Sequence, residues 1–423
     1  MTAFFILMGL LLLLFVGVPV AFALGGLGLA LLVLGDLSPL MVPQALYSMT
    51  DNFILLAVPL FLLMSNVLLK GGMGKSLFEA VQSWVGHWPG GLGIATVISC
   101  AIFAAISGSS VATAATIGNV SIHEMTSRGY SRPFVLGLLA AGGTLGILIP
   151  PSIPMIIYGV VTEESIVDLF LAGVGPGLML VAAFIIYCFA YAKFGGGYTP
   201  TAKATMAERK TATLRSLPTM LLAVVVIGGI YLGIFTPTES AAIGFAVSLV
   251  IVFALRTMTW ELLKEAVTDS MRTTVTIFFI LAGAKIFGKA ITLYQIPQDI
   301  SNIISANITT PGLFIIVVCI VLLIMGFFLE SLSMLLIMMP VLHPSLAGLG
   351  IDSIWFGVLF VIMIECALIT PPVGMNLYVI QTVGNAKLGE VVTGVWPFIL
   401  MLFAAVLAIY IFPDIALYIP FKM

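Results

Sequence analysis

The sequence predicts an all-α polytopic membrane protein, and three observations predict it. Of 423 residues, 61% are hydrophobic and only 8% charged, against roughly 25% charged in an average soluble domain. Mean hydropathy is +1.23. Runs such as Phe4 to Phe15 and Leu313 to Phe328 are apolar throughout, whereas a membrane β-barrel alternates apolar and polar residues over short strands. Only helices satisfy the backbone of such runs within a bilayer, and there is room for roughly ten crossings of about 20 residues.

Gly, Pro and charged residues punctuate the apolar runs and bound the elements in order. Crossings are expected over 3–17 and 19–35, parted by the Gly-Val-Pro at 17–19, then over 52–69, which ends at Lys70. Next come 134–162, 166–191, 214–234, 238–256, 273–291, 353–385 and 391–412. The stretches 91–125 and 311–345 are broken midway by polar residues and read as re-entrant hairpins. The arms 75–88 (KSLFEAVQSWVGHW) and 296–308 (IPQDISNIISANI) mix polar and apolar residues and should lie along the membrane surface. No Lys or Arg precedes Lys70, so the first run reads as a retained helix, not a cleaved signal peptide.

With the N-terminus outside, all of the sixteen basic residues except Lys285, Lys289 and Lys422 fall on inner connections, as the preference of Lys and Arg for the cytoplasmic side requires. The outer connections carry Asp36, Asp51, Glu163, Glu164, Asp168, Glu239, Asp299 and Asp352. Both termini are therefore expected on the periplasmic side.

Aligned on itself at an offset near 220, the chain pairs Pro19 in GVPVAFALG with Pro237 in FTPTESAAIG, and Pro150-Pro151 with Pro371-Pro372. Each half reads crossing, crossing, amphipathic piece, crossing, arm, broken hairpin, proline-broken crossing, crossing. With five crossings per half, the second is inverted relative to the first, a construction of many secondary transporters.

Polar chemistry concentrates at four breaks. The first hairpin turns at Ser107-Gly108-Ser109-Ser110, followed by Thr113, and the next crossing carries Gly143-Thr144 and then Ile149-Pro150-Pro151-Ser152. The second hairpin is expected to turn at Glu330-Ser331-Leu332-Ser333, and its paired break is Ile369-Thr370-Pro371-Pro372-Val373-Gly374, followed by Asn376. Proline removes an amide donor and disfavours helix in the preceding residue, which frees carbonyls. Free carbonyls and hydroxyls suit an alkali cation, while half-helix N-termini attract an anion. An isolated hydroxyl such as that of Thr276 reads as bonded back to its own helix. Glu330 and Glu365 sit in apolar surroundings where charge is costly, and Glu365 reads equally as a ligand or as a structural carboxyl, either neutral or paired with a group such as Lys285 or Lys289.

Other chemistries find little support. No basic surface interleaved with aromatics suggests nucleic acid. The four cysteines lie far apart without a CxxC pairing, and no HExxH or GxSxG occurs. Gly283 to Lys289 resembles the start of a phosphate-binding loop, but Ala290 replaces the Ser or Thr and no strand precedes it. No nucleotide cofactor and no enzyme activity are expected, so transport energy must come from an ion gradient. An intramembrane enzyme lacks a reactive pair at depth, while a passive anion channel differs in not accumulating its solute.

The opening GVPVAFAL, the ISGSSVATAATIG tip, GGTLGILIPPSIPMIIYG and ALITPPVGMNLYVIQ together resemble the large membrane subunit of tripartite ATP-independent periplasmic (TRAP) transporters, the DctM-like family, over essentially the whole chain. The resemblance implies a Na+-driven importer of organic anions, such as sialic acid or C4-dicarboxylates, in a bacterial or archaeal inner membrane. Its implied partners are a small four-helix membrane subunit and a periplasmic substrate-binding protein. The implied fold is that of the ion transporter superfamily, with an elevator-type transport domain at 91–191 and 311–423. The implied scaffold is 1–70 and 214–291, with arms at 71–90 and 292–310 and a cytoplasmic linker at 192–213. Carried over, sodium binds among Ser107, Ser109, Ser110, Gly143, Thr144, Ile149 and Pro150, and again among Glu330, Ser331, Ser333, Ile369, Thr370 and Gly374. Substrate lies between the tips, at Ser109, Thr113, Pro151, Ser152, Ser333, Pro371 and Asn376.

Overall fold

The computed structural model describes residues 2–195, 197–307 and 310–422, and every regular element among them is helical. The first half contains α1 (Thr2–Phe15), α2 (Val20–Leu34), α3 (Met41–Thr50), a 3-10 turn (Phe53–Leu56), α4 (Ala57–Lys70), α5 (Met73–Val85), α6 (Gly91–Ser107), α7 (Ser110–Thr126), α8 (Arg132–Leu148), α9 (Ile153–Thr162) and α10 (Ile166–Phe194). The second contains α11 (Met206–Tyr231), α12 (Pro237–Ala254), α13 (Trp260–Leu293), α14 (Ile296–Asn307), α15 (Pro311–Met325), α16 (Ser331–Gly348), α17 (Ser353–Ile369), α18 (Met375–Val383), α19 (Leu388–Ile411) and α20 (Asp414–Lys422).

Local chemistry sets these boundaries. The Asn52 side chain accepts the Ile54 N–H at 3.0 Å and starts the turn into α4. Reciprocal capping boxes, Thr205 with Glu208 and Thr236 with Glu239, open α11 and α12. The arm α5 buries Leu77, Phe78 and Val81 while Lys75 and Glu79 pair at 3.8 Å on its outer face.

Among the described residues, seven helices are long and apolar enough to cross a membrane, or eight if α8 and α9, bent by 40° at their break, count as one span. The ten crossings expected from sequence are not all present as long helices. Residues 16–19 and Gly35 stop α1 and α2 at 14 and 15 residues, and the Pro371-Pro372 break stops α17 at 17, short of the about 20 that a perpendicular crossing needs. Conversely α16, read as half of a hairpin, is 18 residues long and passes the same test, so length alone does not separate a hairpin arm from a crossing.

Two further expectations are corrected. The amphipathic piece and crossing of the second half form one 34-residue helix, α13; its sequence lacks a counterpart to the Asp51-Asn52 break that parts α3 from α4. In the stretch expected to form the second hairpin the break falls at 326–330, which leaves Ser331 and Ser333 in the first turn of α16. Ile308 of the second arm lies outside the described residues.

The core centres on α8 and α17, which are buried without interruption from Phe134 to Leu148 and from Ile354 to Ile369. A helix apolar all round belongs in such a place. Glycines decide how closely neighbours approach α8: Gly137 and Gly394 bring α8 and α19 into backbone contact. On the other side of the molecule α2 lies along α13, and α4 packs against α12 and α13. There Lys70 pairs with Glu265 and Asp269, each at 3.1 Å, and the Asn66 amide donates to Ser270 at 2.9 Å.

Candidate functional site

The first tip forms because Gly108 takes φ +59° at the end of α6 and Ser109 caps α7 by accepting the Ala112 N–H at 3.4 Å. A Cβ at Gly108 would stand 2.7 Å from the Pro151 carbonyl, so the tip is held against the Pro-Pro break by a residue with no side chain. Within the tip, Ser107 and Thr113 share a hydroxyl bond of 2.7 Å, and the Thr113 hydroxyl donates to the Ser109 carbonyl at 2.9 Å. The α8 face opposite is glycine: a Cβ at Gly143 would meet the Ser110 carbonyl at 2.9 Å, and one at Gly146 the Ser109 carbonyl at 2.6 Å. Two tip carbonyls therefore lie against α8 with nothing bulky between.

The two breaks share a geometry. Ile149, at φ −83° and ψ 123°, and Thr370, at φ −83° and ψ 125°, each keep a helical N–H bond while turning their carbonyls off the helix. Ser152 caps α9 by accepting the Met155 N–H at 3.3 Å and donates to the Ile147 carbonyl. The hydroxyls of Thr144 and Thr370 donate back to Ala141 and Cys366 of their own helices, which leaves their oxygen lone pairs outward. Gly374, at φ +48°, permits the turn into α18.

Behind the first tip lies a buried polar cluster. Ser110 donates to a Glu365 carboxylate oxygen at 3.4 Å and accepts from the Asn376 amide at 2.6 Å. The second Glu365 oxygen and the Asn376 carbonyl oxygen are buried without a partner, an arrangement that invites a further polar group; the Ser333 hydroxyl on α16 is likewise buried without a partner. Glu365 makes no ion pair with Lys285 or Lys289; those lysines line a different cavity, formed with α3 and α16.

A cavity of about 340 Å³ separates the two tips and is walled by Gly108, Ser109, Ser110, Glu330 and Ser331, with Arg272, Thr273 and Thr276 facing them from α13. Of the residues expected to hold substrate, Ser109 lines this cavity. Ser333 lines the adjoining one with Glu330. Thr113, Pro151, Ser152 and Asn376 are turned into the tip, the break and the cluster behind it, and Pro371 does not line the cavity. Sequence reasoning missed Arg272, which it placed on an inner connection, and Gly146; the one signal for Arg272 was the unbroken helical pattern from Trp260 onward. Thr276 bonds back to the Arg272 carbonyl at 3.0 Å, as expected, yet still lines the cavity.

Residues 7–415 match the family model for the DctM component of the tripartite ATP-independent periplasmic transporters. The chain belongs to this TRAP transporter family. Among relatives, the C4-dicarboxylate TRAP transporter large permease protein DctM of Pseudomonas aeruginosa is 38% identical over 89% of this chain and 88% of its own. The sialic acid TRAP transporter large permease protein SiaM of Vibrio cholerae is 34% identical over 96% of each. Among solved structures, the YdaH transporter of Alcanivorax borkumensis superposes with a TM-score of 0.65 over 90% of this chain and 88% of that one, at 12% identity, a likeness of fold alone. As a TRAP family member the chain is a multi-pass membrane transporter subunit, and the relatives named are permease proteins.

Proposed function

We propose that the chain is the permease subunit of a Na+-coupled, binding-protein-dependent secondary importer of organic acid anions, of the C4-dicarboxylate or sialic acid class, working by an elevator mechanism in a bacterial or archaeal inner membrane. The observation that carries this reading is the cavity between the two tips, which Arg272 lines together with Ser109, Ser110, Glu330 and Ser331. A guanidinium is always charged and matches a carboxylate in shape, while tip carbonyls and hydroxyls are oxygen donors fit for Na+. The first cation site is proposed at Ser107, Ser109, Ser110, Gly143, Thr144, Ile149 and Pro150, and the second at Glu330, Ser331, Ser333, Ile369, Thr370 and Gly374. The substrate sits between the tips and is delivered by a periplasmic binding protein. A small four-helix subunit adjoins the scaffold, 1–70 and 214–291, against which 91–191 and 311–423 move. Both termini face the periplasm, and the second half is inverted relative to the first.

A second reading, proton coupling, is favoured by one observation: Glu365 is fully buried, with one oxygen unpartnered. Uptake of labelled succinate and of N-acetylneuraminate into proteoliposomes containing the chain, its small subunit and its binding protein tests both. Accumulation that requires an inward Na+ gradient, and that Ser107→Ala or Thr370→Ala abolishes, supports the first reading. Accumulation driven equally by a proton gradient alone would replace it with the second.

A further inference from the structure

We propose that the cavity enclosed by α3, α13 and α16 is a second anion-binding site, which takes a small carboxylate-bearing solute on Lys285 and Lys289. It encloses about 500 Å³, within the range of small-ligand sites. It is separate from the cavity at the tips: Lys285 follows Arg272 by 13 residues on the continuous helix α13, about 20 Å along its axis at about 1.5 Å per residue.

Lys285 and Lys289 stand one turn apart, so both ammonium groups share a helix face, and both line the cavity. Neither is in an ion pair among the described residues, and no Asp or Glu is among the lining residues. His343 faces them from α16, and the Gln44 amide adds a donor from α3. Two like charges one turn apart repel, and an anion shared between them removes that repulsion. The rest of the wall is mainly apolar, with Leu281, Met339 and Pro340, and its two remaining hydroxyls, of Ser48 and Thr292, donate back to their own helices. Such a wall strengthens the attraction by lowering the local dielectric and fits a carbon skeleton better than a bare inorganic ion. The inference rests on the importer reading for the class of solute and adds to it a binding station outside the tips.

The test is protection of lysines from a small amine-acylating reagent, read by peptide mass spectrometry on the full chain in proteoliposomes that also hold its small subunit and binding protein, with Lys193 and Lys264 as references. Succinate and N-acetylneuraminate are the probes, against chloride and sulfate at matched ionic strength. Acylation of Lys285 and Lys289 should slow about tenfold at an anion concentration about ten times its dissociation constant, with the references unchanged. The protection should persist in Arg272→Gln; its loss there would assign the effect to the tips and overturn the proposal. No slowing by either organic anion in vesicles that still show Na+-driven uptake would overturn the site and leave the importer reading standing. Slowing without uptake would do the reverse. Equal protection by sulfate would overturn the carboxylate assignment.

Discussion

Gly146→Ala tests the proposed cation site at the first tip through a single methyl group. The added Cβ would stand 2.6 Å from the Ser109 carbonyl oxygen and 2.8 Å from the Thr113 hydroxyl, so the tip must retreat by about 0.8 Å to reach ordinary contact. Take a monovalent cation about 2.4 Å from that oxygen, with about half a charge on the carbonyl and an effective dielectric of about 20. Losing that 0.8 Å then forfeits about 0.9 kcal/mol, roughly four- to fivefold in affinity. The helix itself gains about 0.5–1 kcal/mol from replacing glycine, set against about 1–3 kcal/mol for overpacking, so the variant should fold with a modest loss of stability. Gly142→Ala is the control on the same helix: its Cβ meets the Cys100 sulfur at 2.9 Å and no tip atom. Half-saturating Na+ for uptake, measured in proteoliposomes, should rise about four- to fivefold in Gly146→Ala and stay unchanged in Gly142→Ala. Equal Na+ dependence in the two variants, with both folded, would refute the placement of a cation against the Ser109 carbonyl.

Other outcomes follow from the same geometry. Arg272→Gln removes the guanidinium from the cavity between the tips, and the apparent KM for the organic anion should rise by about 10- to 150-fold, the worth of one charge-assisted bond of about 1.5–3 kcal/mol, with folding unaffected. Ser110→Ala leaves Glu365 and Asn376 without their shared partner and should cost about 1–3 kcal/mol, read as a lower melting temperature in detergent. Gly394→Ala forces a methyl into the Pro133 carbonyl where α8 and α19 touch; the expected loss of about 3 kcal/mol or more should appear as loss of the monodisperse peak in size-exclusion chromatography.

How much of this molecule was legible in advance depends on the range of the interaction involved. The sequence by itself determined the helical membrane class, the family, the glycine turn at Gly108 and the two Pro-Pro breaks, because each rests on short-range chemistry: apolar runs, missing proline donors and glycine turns. It also determined that polar groups gather at those breaks. It misjudged α1, α2 and the second tip by small amounts, since helix ends depend on which backbone groups find caps, and it misjudged the start of α13 by 13 residues, since nothing there breaks the helix.

Only the tertiary structure decided which polar groups share a cavity. Ser110, Glu365 and Asn376 meet across 255 and 266 residues of chain, and Arg272 reaches the tips because α13 does not break where α3 gives way to α4. The same packing separates Glu365 from Lys285 and Lys289, a pairing the composition left open. A glycine reads from sequence only as a missing side chain; that Gly146 seats α8 against the Ser109 carbonyl is a fact about two helices in contact, and close packing fixes such contacts to a few tenths of an ångström.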